Sequence, residues 1–200
     1  AWFCSAWCSR SAADAALILK RSFVMPELSP LAPKTRVTLP AVKGVRLGGV
    51  ACGVKKNGRK DLCVMVFDKG TTVAGVLTRS LTAAAPVLWC KKNLKGGFAR
   101  GLVANAGNSN AFTGKNGAIA VDRTAKIAAK LIGCKPSEVF IASTGVIGEP
   151  LPVDRILQAL PGLAKSASAT GWDDAAEAIL TTDTFRKVAT RKVKIGKDVV

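Results

Sequence analysis

The sequence predicts a protein of the α/β (α+β) class, built from an antiparallel meander of strands and three helices. Of its 200 residues, 48% are hydrophobic and 22% are charged, which is the balance of a chain that folds around a core rather than of a disordered one. Short β-prone runs separated by turn sequences fill much of the first half. Apolar residues at helical spacing dominate the second half, so both kinds of element are expected.

The strands are expected to follow an extended arm. Residues 25–48 contain four prolines, which fix φ at their own positions and restrict the residue before each of them. The sequences KKNGRK and DKG then separate three β-prone runs in the manner of hairpin turns. Residues 187–200 alternate around a glycine, which predicts a closing hairpin. The predicted strands before that hairpin are residues 50–54, 61–67, 72–78, 87–90, 101–105 and 139–142.

Three helices are expected, each with its own boundary signal. Gly133 is a natural stop for the first of them. Pro152 suits the start of the second, and the Pro161-Gly162 pair is expected to interrupt it. Asp173 and Asp174 can cap the start of the third, which their negative charge favours. The predicted helices are residues 118–131, 153–160 and 175–180.

The absence of one residue type excludes several chemistries. The chain contains no histidine, so it cannot supply a Ser-His-Asp triad, a Cys-His dyad or an HExxH zinc site. The cysteines show no CxxC spacing and several lie in apolar surroundings, which is typical of buried thiols in a reducing compartment. No ligand set for a metal and no organic cofactor is indicated. The cysteines are Cys4, Cys8, Cys52, Cys63, Cys90 and Cys134.

The formal net charge of +17 makes nucleic acid a candidate partner. More than half of this excess lies in residues 1–60, and no segment interleaves basic residues with aromatic ones for base stacking. We therefore expect a solvated basic surface and no nucleic-acid partner. A basic RNA-binding module stays as an alternative that rests on composition alone.

The first 24 residues differ from the rest of the chain. They are rich in Ala and Ser and contain one acid, a composition similar to that of an organelle transit peptide. A frayed tail is a second interpretation. The third, which we favour, is a misplaced start, because Met25 begins the more conventional sequence MPELSPLAPK. No apolar stretch approaches the ~18 to 20 residues that span a bilayer, which predicts a soluble protein without a membrane partner, in the bacterial cytoplasm or, with a true transit peptide, in an organelle.

Three segments combine small, polar and turn-forming residues where strands end. The amides of ANAGNSNAFTGK (104–115) can orient a ligand or satisfy their own loop, and its glycine spacing does not fit a phosphate loop. In ASTGVIGEPLP (142–152), backbone N–H groups and the Thr144 hydroxyl can converge on a developing oxyanion, or the segment is a plain strand-to-helix connection. In ILTTDTFRK (179–187), the hydroxyls can bind a substrate or satisfy local backbone.

These segments belong to a longer ordered set of motifs. The set is GRKDL (58–62), VAGVLTR (73–79), AAPV (84–87), NAGNSNAFTG (105–114), ASTGVIGEPLP (142–152) and GWDDAAEAILTTDT (171–184). In this order the motifs closely resemble the ornithine acetyltransferase (glutamate N-acetyltransferase) family of arginine biosynthesis. The resemblance runs from about Ser29 to the end of the chain. It implies a layered sandwich of mostly antiparallel sheets with flanking helices.

The resemblance also implies a mechanism. Members of the family are precursors that cut themselves between an Ala and a Thr, and the freed Thr takes the acetyl group of N-acetylornithine and passes it to glutamate. The α-amine of that Thr is a plausible base. The family's oxyanion hole falls on Thr144 and Gly145, and one substrate contact falls on Thr181. Whether acetyl-CoA is also a donor cannot be read from these residues.

The resemblance places the nucleophile outside this chain. The family's Ala-Thr cleavage site and its substrate-binding Lys would lie beyond Val200, so residues 25–200 correspond to the amino-terminal (alpha) fragment. Such a fragment is expected to be inactive alone, to expose apolar surface and sheet edges, and to assemble with the carboxy-terminal (beta) fragment, two of each. The sequence departs from the family at Ala106, Ser109 and Arg186. A self-processing amidase or peptidase of similar fold, with water as acceptor, is the alternative.

Overall fold

A four-stranded sheet lies at the centre of the fold. The computed structural model describes residues 28–35 and 37–199, so the expected leader at residues 1–24 lies outside the described residues. The strand order is β1-β2-β3-β4, with β1 and β2 antiparallel, β2 and β3 antiparallel, and β3 and β4 parallel. The mixed α/β class with mostly antiparallel pairing is therefore confirmed. The strands are β1 (Val45–Val50), β2 (Leu62–Phe67), β3 (Gly101–Asn108) and β4 (Val139–Val146).

Helices flank the sheet and a small hairpin follows them. A parallel pair needs a crossover connection, and the longest helix, α2, supplies it between β3 and β4. Single 3₁₀ turns lie at Leu94–Gly96 and Pro136–Glu138. The hairpin confirms the expected closing turn, with Gly196 at φ 64°. The remaining elements are α1 (Ala85–Asn93), α2 (Gly114–Ile132), α3 (Val153–Ser166), α4 (Trp172–Ala178), β5 (Lys194–Ile195) and β6 (Asp198–Val199).

Three of the predicted strands were wrong. The first strand ends at Val50 instead of beginning there, because the next residues turn back to bond a carboxylate. Residues 72–78 form no strand, and only one isolated bridge joins Thr72 to Phe98. Residues 87–90 lie in helix α1, whose first turn contains Pro86, a position that proline tolerates well. The strands predicted at 61–67, 101–105 and 139–142 are confirmed as β2, β3 and β4, and the last two extend further than expected.

The predicted helices are present with shifted ends. Gly133 ends α2 in a left-handed conformation, with its N–H bonded to the Ala129 carbonyl. The expected interruption at Pro161-Gly162 is wrong, because α3 continues through both residues and keeps Leu160 and Leu163 buried on its inner side. Helix α4 begins at Trp172, earlier than predicted. Asp173 and Asp174 therefore lie in the first turn of the helix. Their negative charges interact favourably with the helix dipole there, but neither side chain caps the helix.

The core has two parts, one on each face of the sheet. Helices α2 and α3 pack on one face against alternate residues of the strands, including Leu62, Val64 and Val103. The short helix α4 packs on the other face, against Leu47, Cys63 and Ala104. This second face is largely covered over β1, β2 and β3, and it is open at Ala142 and Thr144 of β4. The open part determines where a ligand or a partner can reach the sheet.

Candidate active site

The first two polar segments of the sequence meet at one end of the sheet. Strands β3 and β4 run parallel, and the pairing aligns Asn105 with Ser143, Ala106 with Thr144, and Gly107 with Gly145. Both segments therefore end side by side at the carboxyl ends of parallel strands. This is the place where open α/β sheets most often bind ligands.

Gly145 lies in direct contact with the neighbouring strand. Its φ is 133°, a backbone conformation that side chains disfavour. A β-carbon at this position would lie 2.3 Å from the Gly107 carbonyl carbon and 2.5 Å from the Asn108 nitrogen. Only glycine fits there, so the backbone of residue 145 is pressed against a local irregularity in the pairing of β3 and β4 at residues 107–108.

Thr144 projects from the open face of the sheet. It pairs with Ala106, and side chains alternate along the strand, which places it on the same face as Ala142 and Ala104. Helix α4 packs on this face at Ala104. Thr144 and Gly145 are both exposed, so the two groups expected to form an oxyanion hole remain accessible to a reactant.

An apolar groove on the open face reaches Ala142 and Ser143, the two residues before Thr144. Its volume is about 450 Å³. The sheet contributes Leu102, Phe140 and Ala142, and the other wall comes from α1 and from the extended segment 73–77. Val76 in that segment is 98% exposed. A contiguous apolar surface of this kind is typical of a site that another protein segment or a ligand covers.

The amides of the Asn-rich segment satisfy their own surroundings. Asn105 donates to the Asn108 carbonyl at 2.8 Å and accepts from the Ser143 hydroxyl at 2.6 Å. The Asn108 side chain donates to the Glu149 carbonyl at 3.0 Å and accepts from the Asn110 N–H at 2.7 Å. All three asparagines are buried. Of the two interpretations of this segment, the structure supports the one in which the amides satisfy their own loop. Their hydrogen bonds brace the carboxyl ends of β3 and β4.

Strained backbone accompanies this network. Asn110 and Phe112 both have positive φ, at 48° and 57°, which costs about 1–3 kcal/mol for a residue other than glycine. The Thr113 hydroxyl donates to the Asn110 side chain at 2.7 Å, and the Gly148 N–H donates to the Ala111 carbonyl at 2.9 Å. The two segments are thus tied together beyond the ends of β3 and β4.

We expect Asn108→Ala to lower the free energy of unfolding by about 1–3 kcal/mol, because it leaves the N–H of the fully buried Asn110 without an acceptor. The Asn110 N–H would lose the side-chain oxygen that accepts its hydrogen bond, and the Glu149 carbonyl would lose its donor. Urea denaturation measures the change. Ser109→Ala is the matched control, because the Val146 carbonyl keeps its bond from the Ser109 N–H at 2.9 Å. Equal effects of the two variants would contradict the bracing role.

Thr181 follows α4 and is half-buried. Lys60 holds α4 at this end of the sheet, with its Nζ 2.6 Å from Asp174 and 3.0 Å from Glu177. Helix α4 packs on the face from which Thr144 projects. Within the described residues no hydrogen bond joins Thr181 to Thr144 or Gly145, so its role in substrate binding stays a prediction.

Asp61 is a residue that the sequence reasoning did not single out. It is fully buried, and its two carboxylate oxygens accept the N–H groups of Cys52 and Lys55 at 2.6 and 2.7 Å. The only signal in the sequence is its place in GRKDL, immediately before a buried strand. A charged residue entering a core is unusual unless it is paired or hydrogen-bonded.

Of the four described cysteines, Cys63 is buried, as expected, and Cys52, Cys90 and Cys134 are half-buried. Burial, and after it the charge of Asp61, raises the pKa of the Cys52 thiol to about 12. Burial alone raises the pKa of Cys63 to about 12, and it also raises the pKa values of Cys90 and Cys134. The reactive form of cysteine is the thiolate, so these four side chains stay protonated near neutral pH and are poor nucleophiles.

Residues 28–35 and 37–199 lack two further features. No three His, Cys, Asp or Glu side chains in this part of the chain come together in a way that could hold a metal ion. In the same residues, no helix combines the length and the apolar character needed to cross a membrane.

Comparisons with known proteins agree with the motif resemblance. A model of the ArgJ family matches residues 46–200. "Arginine biosynthesis bifunctional protein ArgJ" of Rhizobium meliloti (strain 1021) is 53% identical over 169 residues, which are 84% of this chain and 41% of that protein. The protein of the same name from Bradyrhizobium diazoefficiens is 54% identical over 170 residues, or 85% of this chain and 41% of the relative. The chain thus spans about two fifths of the length of these relatives.

Solved structures give the same result. Ornithine acetyltransferase of Mycobacterium tuberculosis, complexed with ornithine, is 37% identical with a TM-score of 0.69, covering 74% of this chain and 79% of the matched chain. Arginine biosynthesis bifunctional protein ArgJ of Bacillus halodurans is 30% identical with a TM-score of 0.71, covering 82% and 86%. The residues matched by the family model include the strand ends around Gly107 and Gly145. The chain belongs to the ArgJ family.

Proposed function

We propose that this chain is the amino-terminal fragment of an acetyltransferase of arginine biosynthesis, which transfers an acetyl group from N-acetylornithine to glutamate. The observation that carries the proposal is the pair Thr144 and Gly145, exposed where β4 ends. These are the positions on which the family's oxyanion hole falls. The proposed location of the enzyme is the bacterial cytoplasm.

The chemistry follows from what an oxyanion hole does. A threonine at the start of the companion fragment attacks the acetyl carbonyl, and its α-amine accepts the hydroxyl proton. Thr144 and Gly145 stabilise the negative charge that develops on the carbonyl oxygen. The protonated α-amine gives its proton to the departing amine of ornithine, and the amino group of glutamate then attacks the acetyl-threonine to release N-acetylglutamate and the free threonine. Thr181 contacts the substrate, and no metal or organic cofactor takes part.

The fragment is proposed to be inactive until its companion covers the open face. The groove at Ala142 and Ser143 and the exposed Val76 support this, because both leave apolar surface in water. Strand β4 is also an edge strand of the sheet, and in the part of the chain that the structure describes α1 bonds its edge only at the Val139 and Ile141 carbonyls, so pairing with another chain is proposed beyond Ile141. We propose that two amino-terminal and two carboxy-terminal fragments form the complete assembly.

The lengths of the relatives support cleavage of a precursor. This chain covers 41% of the curated sequences but 79% and 86% of the chains in the matched structures. Those structural chains are therefore far shorter than the curated sequences and similar in length to this one. A precursor cut into two lasting fragments would produce such chains.

Expression of the complete gene product tests the proposal. We expect two bands on a denaturing gel, co-purification of the two fragments, and transfer of acetyl from N-acetylornithine to glutamate. The 200-residue chain expressed alone is the control and should show no transfer. Release of free acetate without formation of N-acetylglutamate would instead favour an amidase, and an uncut product without transfer would contradict the proposal.

A further inference from the structure

We propose that Asp61 is a positioning residue for the oxyanion hole, an inference that rests on the proposed function. Its carboxylate does not touch Thr144 or Gly145 through any hydrogen bond in the described residues. It acts through two intermediates, the turn at residues 52–55 and the backbone of Gly107. The three layers form one continuous stack behind the reactive end of β4.

The first layer is the carboxylate and the turn that it holds. Asp61 is fully buried, and its Oδ1 and Oδ2 accept the N–H groups of Cys52 and Lys55 at 2.6 and 2.7 Å. Two converging donors at such short distances require two acceptor oxygens, which a carboxylate has and an amide lacks. The turn therefore takes its shape from the charged group at its centre.

The second layer is the contact between this turn and Gly107. A β-carbon at Gly107 would lie 2.9 Å from Lys55 Cγ, 3.3 Å from Lys55 N and 3.3 Å from the Val54 carbonyl carbon. The turn thus lies directly against the backbone at the end of β3. The backbone carbonyl of Asp61 adds a second link, because it accepts the N–H of Ala106 at 2.9 Å.

The third layer joins Gly107 to the proposed oxyanion hole. Gly145 stands against Gly107 so closely that a β-carbon would lie 2.3 Å from the Gly107 carbonyl carbon and 2.7 Å from its oxygen. A shift of the turn would move Gly107. Gly145 would then have to move as well, because the two backbones are in direct contact. Because oxyanion donors act only when they are held in place beforehand, such a shift would reduce catalysis more than binding.

Asp61→Asn in the complete gene product tests the inference. The amide would place an NH₂ group against one of the two N–H donors, so the turn is expected to move. We expect kcat for acetyl transfer to fall about 10- to 100-fold, with KM for N-acetylornithine within about twofold of the parent value. Hydrogen exchange should become faster in peptides that contain Gly107 and Gly145.

Asp68→Asn is the matched control. It is the same substitution just past the opposite end of β2, and the Asp68 side chain is exposed, so both kcat and exchange should stay unchanged. Unchanged kcat and exchange in Asp61→Asn, or a rise in KM alone, would overturn the inference.

Two possible results need a separate readout. If Asp61→Asn does not fold, Lys55→Ala decides, because it removes the side-chain stem that packs on Gly107 while the backbone N–H to Asp61 remains. A fall in kcat at constant KM would support the stack, and an unchanged kcat would overturn it. If the parent protein transfers no acetyl group, the proposed function fails, and the hydrogen-exchange comparison still decides whether Asp61 positions Gly107 and Gly145.

Discussion

Gly145→Ala is expected to lower kcat for acetyl transfer by the complete protein about 100-fold or more, which is the usual cost of losing one oxyanion donor. The added β-carbon would lie within 2.7 Å of three backbone atoms of Gly107 and Asn108. None of these atoms belongs to a flexible side chain, so the strand end itself must move. Steady-state kinetics with N-acetylornithine and glutamate measures the effect.

Gly148→Ala is the control for backbone conformation. Gly148 also has a positive φ, at 83°, but no heavy atom lies within 4 Å of the position that its β-carbon would take. This variant should lose some stability and keep kcat within about twofold, because the strain acts outside the strand end. If Gly145→Ala and Gly148→Ala lower kcat equally, close contact at residue 145 is not what the site requires.

Thr144→Ala is expected to produce the second large effect, a fall in kcat of about 100-fold with little change in KM. Thr144 is exposed on the open face, next to residues that line the apolar groove, so the truncation leaves no buried group unpaired. A loss of activity would therefore report on the reaction and not on folding. The measurement is kcat and KM for each substrate, with the urea midpoint as a check on stability.

Thr144→Ser separates the hydroxyl from the methyl group. Serine keeps the oxygen and the ability to donate a hydrogen bond, so this variant should retain most of the parent kcat. Equal loss in Thr144→Ser and Thr144→Ala would show that the hydroxyl is not the group that acts, and full activity in Thr144→Ala would remove Thr144 from the site.

Local sequence signals predicted the elements whose structure depends on near neighbours. Helix α2 has regular apolar spacing and a glycine stop, and it forms as expected. The segment 87–90 is as apolar as a short buried strand. It is helical because Pro86 suits the first turn of a helix and because tertiary contacts favour the helix. In α1 the Trp89 indole donates to the Val139 carbonyl at 2.8 Å, and the Cys90 thiol to the Ile141 carbonyl at 3.2 Å. Such contacts with the edge of β4 cannot be read from a short window.

The candidate site likewise contains residues that the sequence predicts and contacts that it does not. Thr144 and Gly145 could be named from the sequence because the motifs resemble a family. Their setting could not, since the parallel pairing of β3 with β4 joins residues nearly forty positions apart. Asp61 could not be predicted for a related reason. Its carboxylate accepts hydrogen bonds from the preceding turn, but that turn matters only because Lys55 packs on Gly107, a contact that the sequence does not show. Residues that act through backbone contacts leave little trace in a single sequence.

The central claim is that Thr144 and Gly145 serve a nucleophile from a companion fragment. The most direct test incubates the complete protein with N-acetylornithine in the absence of glutamate, stops the reaction with acid, and locates acetyl groups on both fragments by mass spectrometry. The account predicts an acetyl group on the first threonine of the companion fragment, none on this chain, and slower acetylation in Gly145→Ala. An acetyl group on a residue of this chain, or efficient transfer to glutamate without any acetylated fragment, would contradict it.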